Sequence, residues 1–260
     1  MKQRVRFLAI RLTVVLLFAL MAGGAPGAPP EDGDARALVK RVLDGVPDVP
    51  FTATMTLTLE GGAQRQLALS HKRVGDARAS YLEVTAPLNV KDVRFLFLER
   101  LEGRDEQFVY VPAVNRVTQI SEDARNQPFL GSEFYVSDLV TPALDDFAYA
   151  LVGEARVAGR QCRLVEATPK TSEGQLYGKT VLAVDPGDLV ILRVEFFDRK
   201  GKPLKVWTAE RLERIDGVWT AHEQRMTNLQ ENVGSRLVID TIRFHADVPD
   251  ERFTRAYLSR

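Results

Sequence analysis

Cysteine is almost missing from this chain: Cys162 is the only one in 260 residues. No intrachain disulfide can form, and no cysteine follows the N-terminal region to carry a lipid. Cys162 lies in the strand-like run 161–168, where it reads as a small buried apolar residue and not as a nucleophile. Histidine is nearly as scarce. His71, His222 and His245 fall in three separate strand contexts without the spacing of a metal site. There is no H-E-x-x-H, G-x-S-x-G, P-loop or G-x-G-x-x-G, so the sequence signatures of zinc hydrolases, α/β-hydrolases and nucleotide binders are lacking. Asp145 and Asp146 end a helical turn, and Asp185 and Asp188 sit in a β-turn, so neither pair reads as an acid–base couple. No catalytic residue, metal or cofactor is expected. A hydrolase stays open only if Ser132 meets His222 or His245 in space, since triads assemble from distant residues.

An excess of one charge is lacking too. Lysine and arginine number 35, aspartate and glutamate 35, and no block of like charge occurs. That balance argues against a nucleic-acid partner and against a polybasic membrane patch, so membrane contact is at most transient. Long apolar runs are absent as well. The run at 12–22 has about 11 residues, where a membrane-spanning helix needs roughly 20. Lys2, Arg4, Arg6 and Arg11 precede it, and Gly23, Gly24 and Ala25 follow. A basic start, a short apolar stretch and a small-residue exit make a secretory signal peptide. The expectation is a leader over 1–24 and an exported domain over 25–260 that is not a lipoprotein. Without a linker, low-complexity tract or fixed-period repeat, 25–260 reads as one domain.

What is present is alternation. Residues 51–59 place Phe51, Ala53, Met55, Leu57 and Leu59 on one row and threonines on the other, the pattern of a half-buried strand. Strands follow at 64–74 and 79–85. A helical spacing of Ala37, Leu38, Val42 and Leu43 precedes them. The second half offers hairpins around 158–160 and the Asp216-Gly217 turn, and a further turn at 185–188. In all, ten or eleven mostly hairpin-linked strands are expected, with helical material near 34–43, 135–144 and the C-terminus. Sequential hairpins favour one large antiparallel sheet, and a sheet of that size curls into a sandwich or a partial barrel with a concave face.

Residues 88–139 are the most informative stretch. Within 92–99 both alternating rows are apolar: Val93, Phe95 and Phe97 on one, Leu96 and Leu98 on the other. Such a strand has apolar contacts on both faces, from the sheet interior and from a covering element or a ligand. Strands at 107–111 and 116–120 come next, and the segment closes on Pro128-Phe-Leu-Gly-Ser-Glu-Phe-Tyr-Val-Ser-Asp-Leu139, an aromatic-rich connection with no catalytic signature.

The leader, the short N-terminal helix, the threonine-alternating strand, and above all the Gly-Ser-x-Phe…Asp-Leu run at 131–139 resemble the outer-membrane lipoprotein-sorting protein family, the LolA-like carriers. The resemblance implies a mainly β (α+β) fold: a single strongly curled antiparallel sheet forming an unclosed β-barrel, with short helices as lid or plug. It also implies a non-enzymatic periplasmic carrier of lipid or lipoprotein acyl chains, with an RND/MMPL-type inner-membrane exporter as partner. A lipid- or protein-sensing adaptor of the same fold is the alternative. Cavity residues are then expected among Phe95, Phe97, Phe108, Tyr110, Val194 and Phe196. Segment 128–144 is the expected mobile cover, with Phe129, Phe134, Tyr135 and Leu139 in it. The family's lid-bonding arginine has three candidates here, Arg65, Arg73 and Arg94.

Overall fold

The computed structural model describes residues 20–22, 35–46, 48–100, 105–140 and 143–260. The expected leader lies outside these residues except for a short strand β1 (Leu20–Ala22), which pairs with 218–220. Helix α1 (Ala35–Asp44) buries Ala35, Leu38, Val39 and Val42, one stripe at helical spacing. Among the described residues, no helix is long and apolar enough to cross a membrane.

From Phe51 onward the chain folds into hairpins. Strands β2 (Phe51–Thr58), β3 (Gln64–Val74), β4 (Ala77–Ala86), β5 (Arg94–Arg100), β6 (Glu106–Val111) and β7 (Arg116–Gln119) form one half. Strands β8 (Phe147–Val157), β9 (Arg160–Pro169), β10 (Lys179–Asp185), β11 (Val190–Phe197), β12 (Pro203–Ile215), β13 (Val218–Asn228) and β14 (Val233–Phe244) form the other. The halves join where β14 pairs antiparallel with β2, giving the order β7-β6-β5-β4-β3-β2-β14-β13-β12-β11-β10-β9-β8. Thirteen strands thus follow one path, more than the ten or eleven expected, and the short strand expected at 116–120 is β7, paired with β6. The Asp216-Gly217 hairpin forms as read. Both residues have positive φ, 49° and 84°, which matches the right-handed twist of the flanking strands.

The two ends of the path, β7 and β8, do not pair with each other among the described residues. The sheet is therefore an unclosed barrel, and the connection 120–146 crosses its open seam. Part of that connection is the one-turn helix α2 (Glu122–Arg125), N-capped by Ser121, whose Oγ accepts from the Ala124 N–H. The helical material expected at 135–144 is two 3-10 turns, Val136–Leu139 and Leu144–Asp146.

Strand parity sorts the sheet into an inner and an outer face. Inside, Phe51, Met55, Leu67, Leu82, Phe97, Leu192, Val194, Trp207, Met226 and Leu237 pack with the buried stripe of α1. Outside, over β4 to β6, a second cluster joins Tyr81, Leu96, Phe108 and Tyr110 to Val248, Phe253 and Leu258 of the C-terminal segment. That segment ends in helix α3 (Arg255–Leu258), whose Thr254 hydroxyl accepts from the Tyr257 N–H at 3.2 Å. The two apolar rows of β5 are thereby explained. Phe95 and Phe97 look into the barrel, while Leu96 and Leu98 lie beneath the chain's own C-terminus.

Candidate functional site

The open seam contains a cavity of about 410 Å³. Its floor comes from the inner rows of β10 and β11, with Leu182, Val194 and Phe196. Gln107 of β6 stands on the opposite wall, and Ser137, Asp138 and Val140 of the connection lie above. Tyr177 closes one side, its ring 4.6 Å from that of Phe196 and its hydroxyl donating to Asp138 Oδ1 at 2.8 Å. A 300–1,000 Å³ pocket with apolar walls and a few polar groups is the usual form of a small-molecule site.

The expected cavity residues separate into three places. Val194 and Phe196 line this cavity. Phe95 and Phe97 face the same interior but are packed away from it: Phe97 is wholly buried, and Phe95 stacks on Phe97 at 6.2 Å and meets Phe129 at 5.2 Å. Phe108 and Tyr110 are on the outer face under the C-terminal segment, where Arg255 lies over the Phe108 ring and Tyr110 donates to Asn115 at 3.0 Å. The neighbouring β6 residues Gln107 and Val109 point inward instead, because successive side chains of a strand alternate faces.

Residues 128–140 of the expected cover form a compact plug. Its backbone closes on itself through Phe129 N–H to Phe134 O at 2.7 Å and Val136 N–H to Gln127 O at 3.2 Å. Leu130 and Gly131 turn the chain with φ of 52° and 80°, the left-handed region that a glycine enters without strain. Ser132 donates to Phe129 O at 2.7 Å and accepts from the Phe134 N–H at 3.2 Å. Its hydroxyl is thus engaged with local backbone, and His222 lies 3.4 Å from Glu213, so neither shows the pairing a hydrolase would use. Phe129, Phe134, Val136 and Leu139 are buried in the inner cluster.

Glu133 fastens this plug to the sheet. Lys205, Asn228 and Ser235 occupy inner-row positions on three adjacent strands, with Lys205 and Asn228 directly opposite in the ladder. All three meet Glu133: the Lys205 ammonium donates to its carbonyl at 2.6 Å, Asn228 donates to its carboxylate at 3.1 Å, and its N–H donates to Ser235 Oγ at 3.0 Å. Lys205 is fully buried and its ammonium lies over the Tyr135 ring. Burial pushes the Lys205 pKa down to about 8 against the attraction of Asp138, Glu133 and Glu231. Burial raises the Asp138 carboxyl above its ordinary range, while Lys205, the Tyr135 N–H and the Tyr177 hydroxyl pull it back.

None of the three candidate arginines performs this task. Arg65 donates to Gln64 O, Arg73 pairs with Asp48, and Arg94 bonds Glu83 and the backbone carbonyl of Leu258. The sequence did carry a signal for Lys205, a charged residue in the same alternating row as Trp207 and Ala209. Among the described residues, no group of three or more His, Cys, Asp or Glu could hold a metal ion.

This architecture has known relatives. An outer membrane lipoprotein-sorting protein domain from Vibrio parahaemolyticus is 28% identical, with 82% of this chain and 93% of that one covered and a TM-score of 0.76. A DUF1329 family protein from Desulfovibrio piger is 25% identical over 86% of this chain and 97% of that one, with a TM-score of 0.80. A LolA superfamily protein from Nitrosomonas europaea is 20% identical over 86% and 99%, with a TM-score of 0.65, and shares the fold. No curated protein sequence matches. The unclosed antiparallel sheet is that of the LolA-like, outer-membrane lipoprotein-sorting class. Within it, the chain belongs to the family whose model matches residues 76–260 and is described as "Uncharacterized protein".

Proposed function

We propose that this protein is a non-enzymatic periplasmic carrier that shelters the acyl chains of a lipid or lipoprotein on the way to the outer membrane. The observation that carries the reading is the apolar-floored cavity of Leu182, Val194 and Phe196 in the open seam of a LolA-like sheet, beneath a plug that Lys205, Asn228 and Ser235 hold at Glu133. Burying each methylene is worth roughly 0.8 kcal/mol, so even a partly sheltered chain gains several kcal/mol before the costs of ordering and association. Leader-directed export, and exchange with an RND/MMPL-type exporter at the inner membrane, belong to the same proposal. Release needs no nucleotide: displacement of the plug at Glu133 opens the seam directly.

Uptake of a fluorescent acyl probe tests the reading. The wild-type protein should bind it, and Leu182→Asp, which puts a carboxylate on the half-buried cavity floor, should weaken binding about tenfold or more while the protein stays folded. A folded Leu182→Asp variant that binds as wild type does would remove the cavity from the account.

A further inference from the structure

The cavity contains a polar pair that neither the plug nor the sheet uses. Gln107 is 1% exposed, stands directly across the ladder from Phe97, and lines the cavity. Neither its amide nitrogen nor its amide oxygen has a hydrogen-bond partner among the described residues. The Ser137 hydroxyl, on the plug side of the same cavity, is also buried without a partner there. The Nε of Arg125, which also lines the cavity, is a further buried donor without a partner there. A buried polar group left unmatched costs about 1–3 kcal/mol, so these groups bordering one cavity call for a ligand that brings both a donor and acceptors.

Their chemistry narrows that ligand. Gln107 offers a donor and an acceptor, and Ser137 offers the same through one oxygen. The charged residues around the cavity are mainly acidic: Asp105, Glu122, Asp138, Asp146 and Glu173 against Arg125 and Lys179. Lys179 is already bound to Glu166 at 2.7 Å. A carboxylate and an ester offer acceptors only, which leaves the Gln107 amide oxygen unmatched. A trans secondary amide carries its N–H and C=O on opposite sides, so residues on two different walls can meet one group each.

Resting on the carrier reading, we propose that the cavity selects amide-linked acyl chains, with Gln107 and Ser137 hydrogen-bonding the N–H and C=O of the linkage. The apolar floor of Leu182, Val194 and Phe196 then takes the first carbons of the chain.

The test compares three probes of equal chain length, a neutral N-alkyl fatty amide, the matching alkyl ester and the free fatty acid anion, by competition against a fluorescent acyl probe. Wild-type protein should prefer the amide over both the ester and the anion by about tenfold, one hydrogen bond's worth. Gln107→Leu should bring amide and ester to within about twofold while ester binding persists, and it should be at least as stable as wild type, because it removes an unmatched buried amide. Ser137→Ala should lose part of the preference and serves as the second variant should Gln107→Leu fail to fold. Equal binding of amide and ester by the wild type overturns the selectivity and leaves the carrier reading standing. A Gln107→Leu variant that is destabilised but keeps the amide preference assigns Gln107 to structure and overturns it as well. Failure of all three probes to compete for a protein that binds no acyl probe overturns the carrier reading itself.

Discussion

The ammonium of Lys205 on β12 donates to the backbone carbonyl of Glu133, 72 residues earlier in the chain, at 2.6 Å. Through it a wholly buried charge of the sheet grips the plug, and Asn228 and Ser235 hold the same residue from the next two strands. Lys205→Met keeps most of the stem and removes the charge. Backbone amides of 128–140 should then exchange about tenfold faster or more, and global stability should fall by about 1–3 kcal/mol. Unchanged protection of 128–140 would show that the plug is held by its aromatics alone.

The outer cluster should be structural and nothing else. Phe253 is buried against the Leu96–Phe108 face, away from the cavity. Phe253→Ala should cost about 3–5 kcal/mol in denaturant unfolding, as for other large core truncations, and leave the affinity for an acyl probe unchanged. A selective loss of probe binding at full stability would move the ligand to the outer face, where Phe108 and Tyr110 lie.

A pH dependence follows from His71. It is buried, bonds Ser80 at 2.8 Å and stacks on Phe51 at 4.9 Å. Burial, with the charge of Arg78 next, lowers its pKa from 6.5 to about 4. Between those values the unfolded chain takes up a proton that the folded chain refuses, so stability is complete above about 6.5 and falls as pH drops toward 4. The full loss is on the order of 3 kcal/mol. Urea midpoints measured across this window should fall with pH in wild type and change much less in His71→Asn. Equal slopes in the two proteins would remove His71 as the cause.

Much of this fold was legible because period-2 alternation states burial directly. The row of Phe51, Ala53, Met55 and Leu57 is the buried row of β2, and Asp216-Gly217 makes the expected turn. The double apolar character of β5 was equally visible, but its cause was not. Alternation shows that both faces of Leu96–Phe97 are covered and is silent on what covers them, here the inner core and the C-terminal segment. The same limit placed Phe108 and Tyr110 with the cavity candidates, although the inward residues of β6 are Gln107 and Val109. Lys205 was missed for a different reason. A single lysine in a strand usually marks solvent, and its burial becomes sensible only once Glu133 arrives from a distant loop.

The central claim, that the seam cavity carries acyl chains, is tested most directly by native mass spectrometry of the protein released from the cells that make it, alongside Leu182→Asp. The account predicts a population heavier than the bare chain by a species bearing acyl chains, depleted in the variant. A reproducibly bare mass, in a protein that also takes up no fluorescent acyl probe, would contradict it.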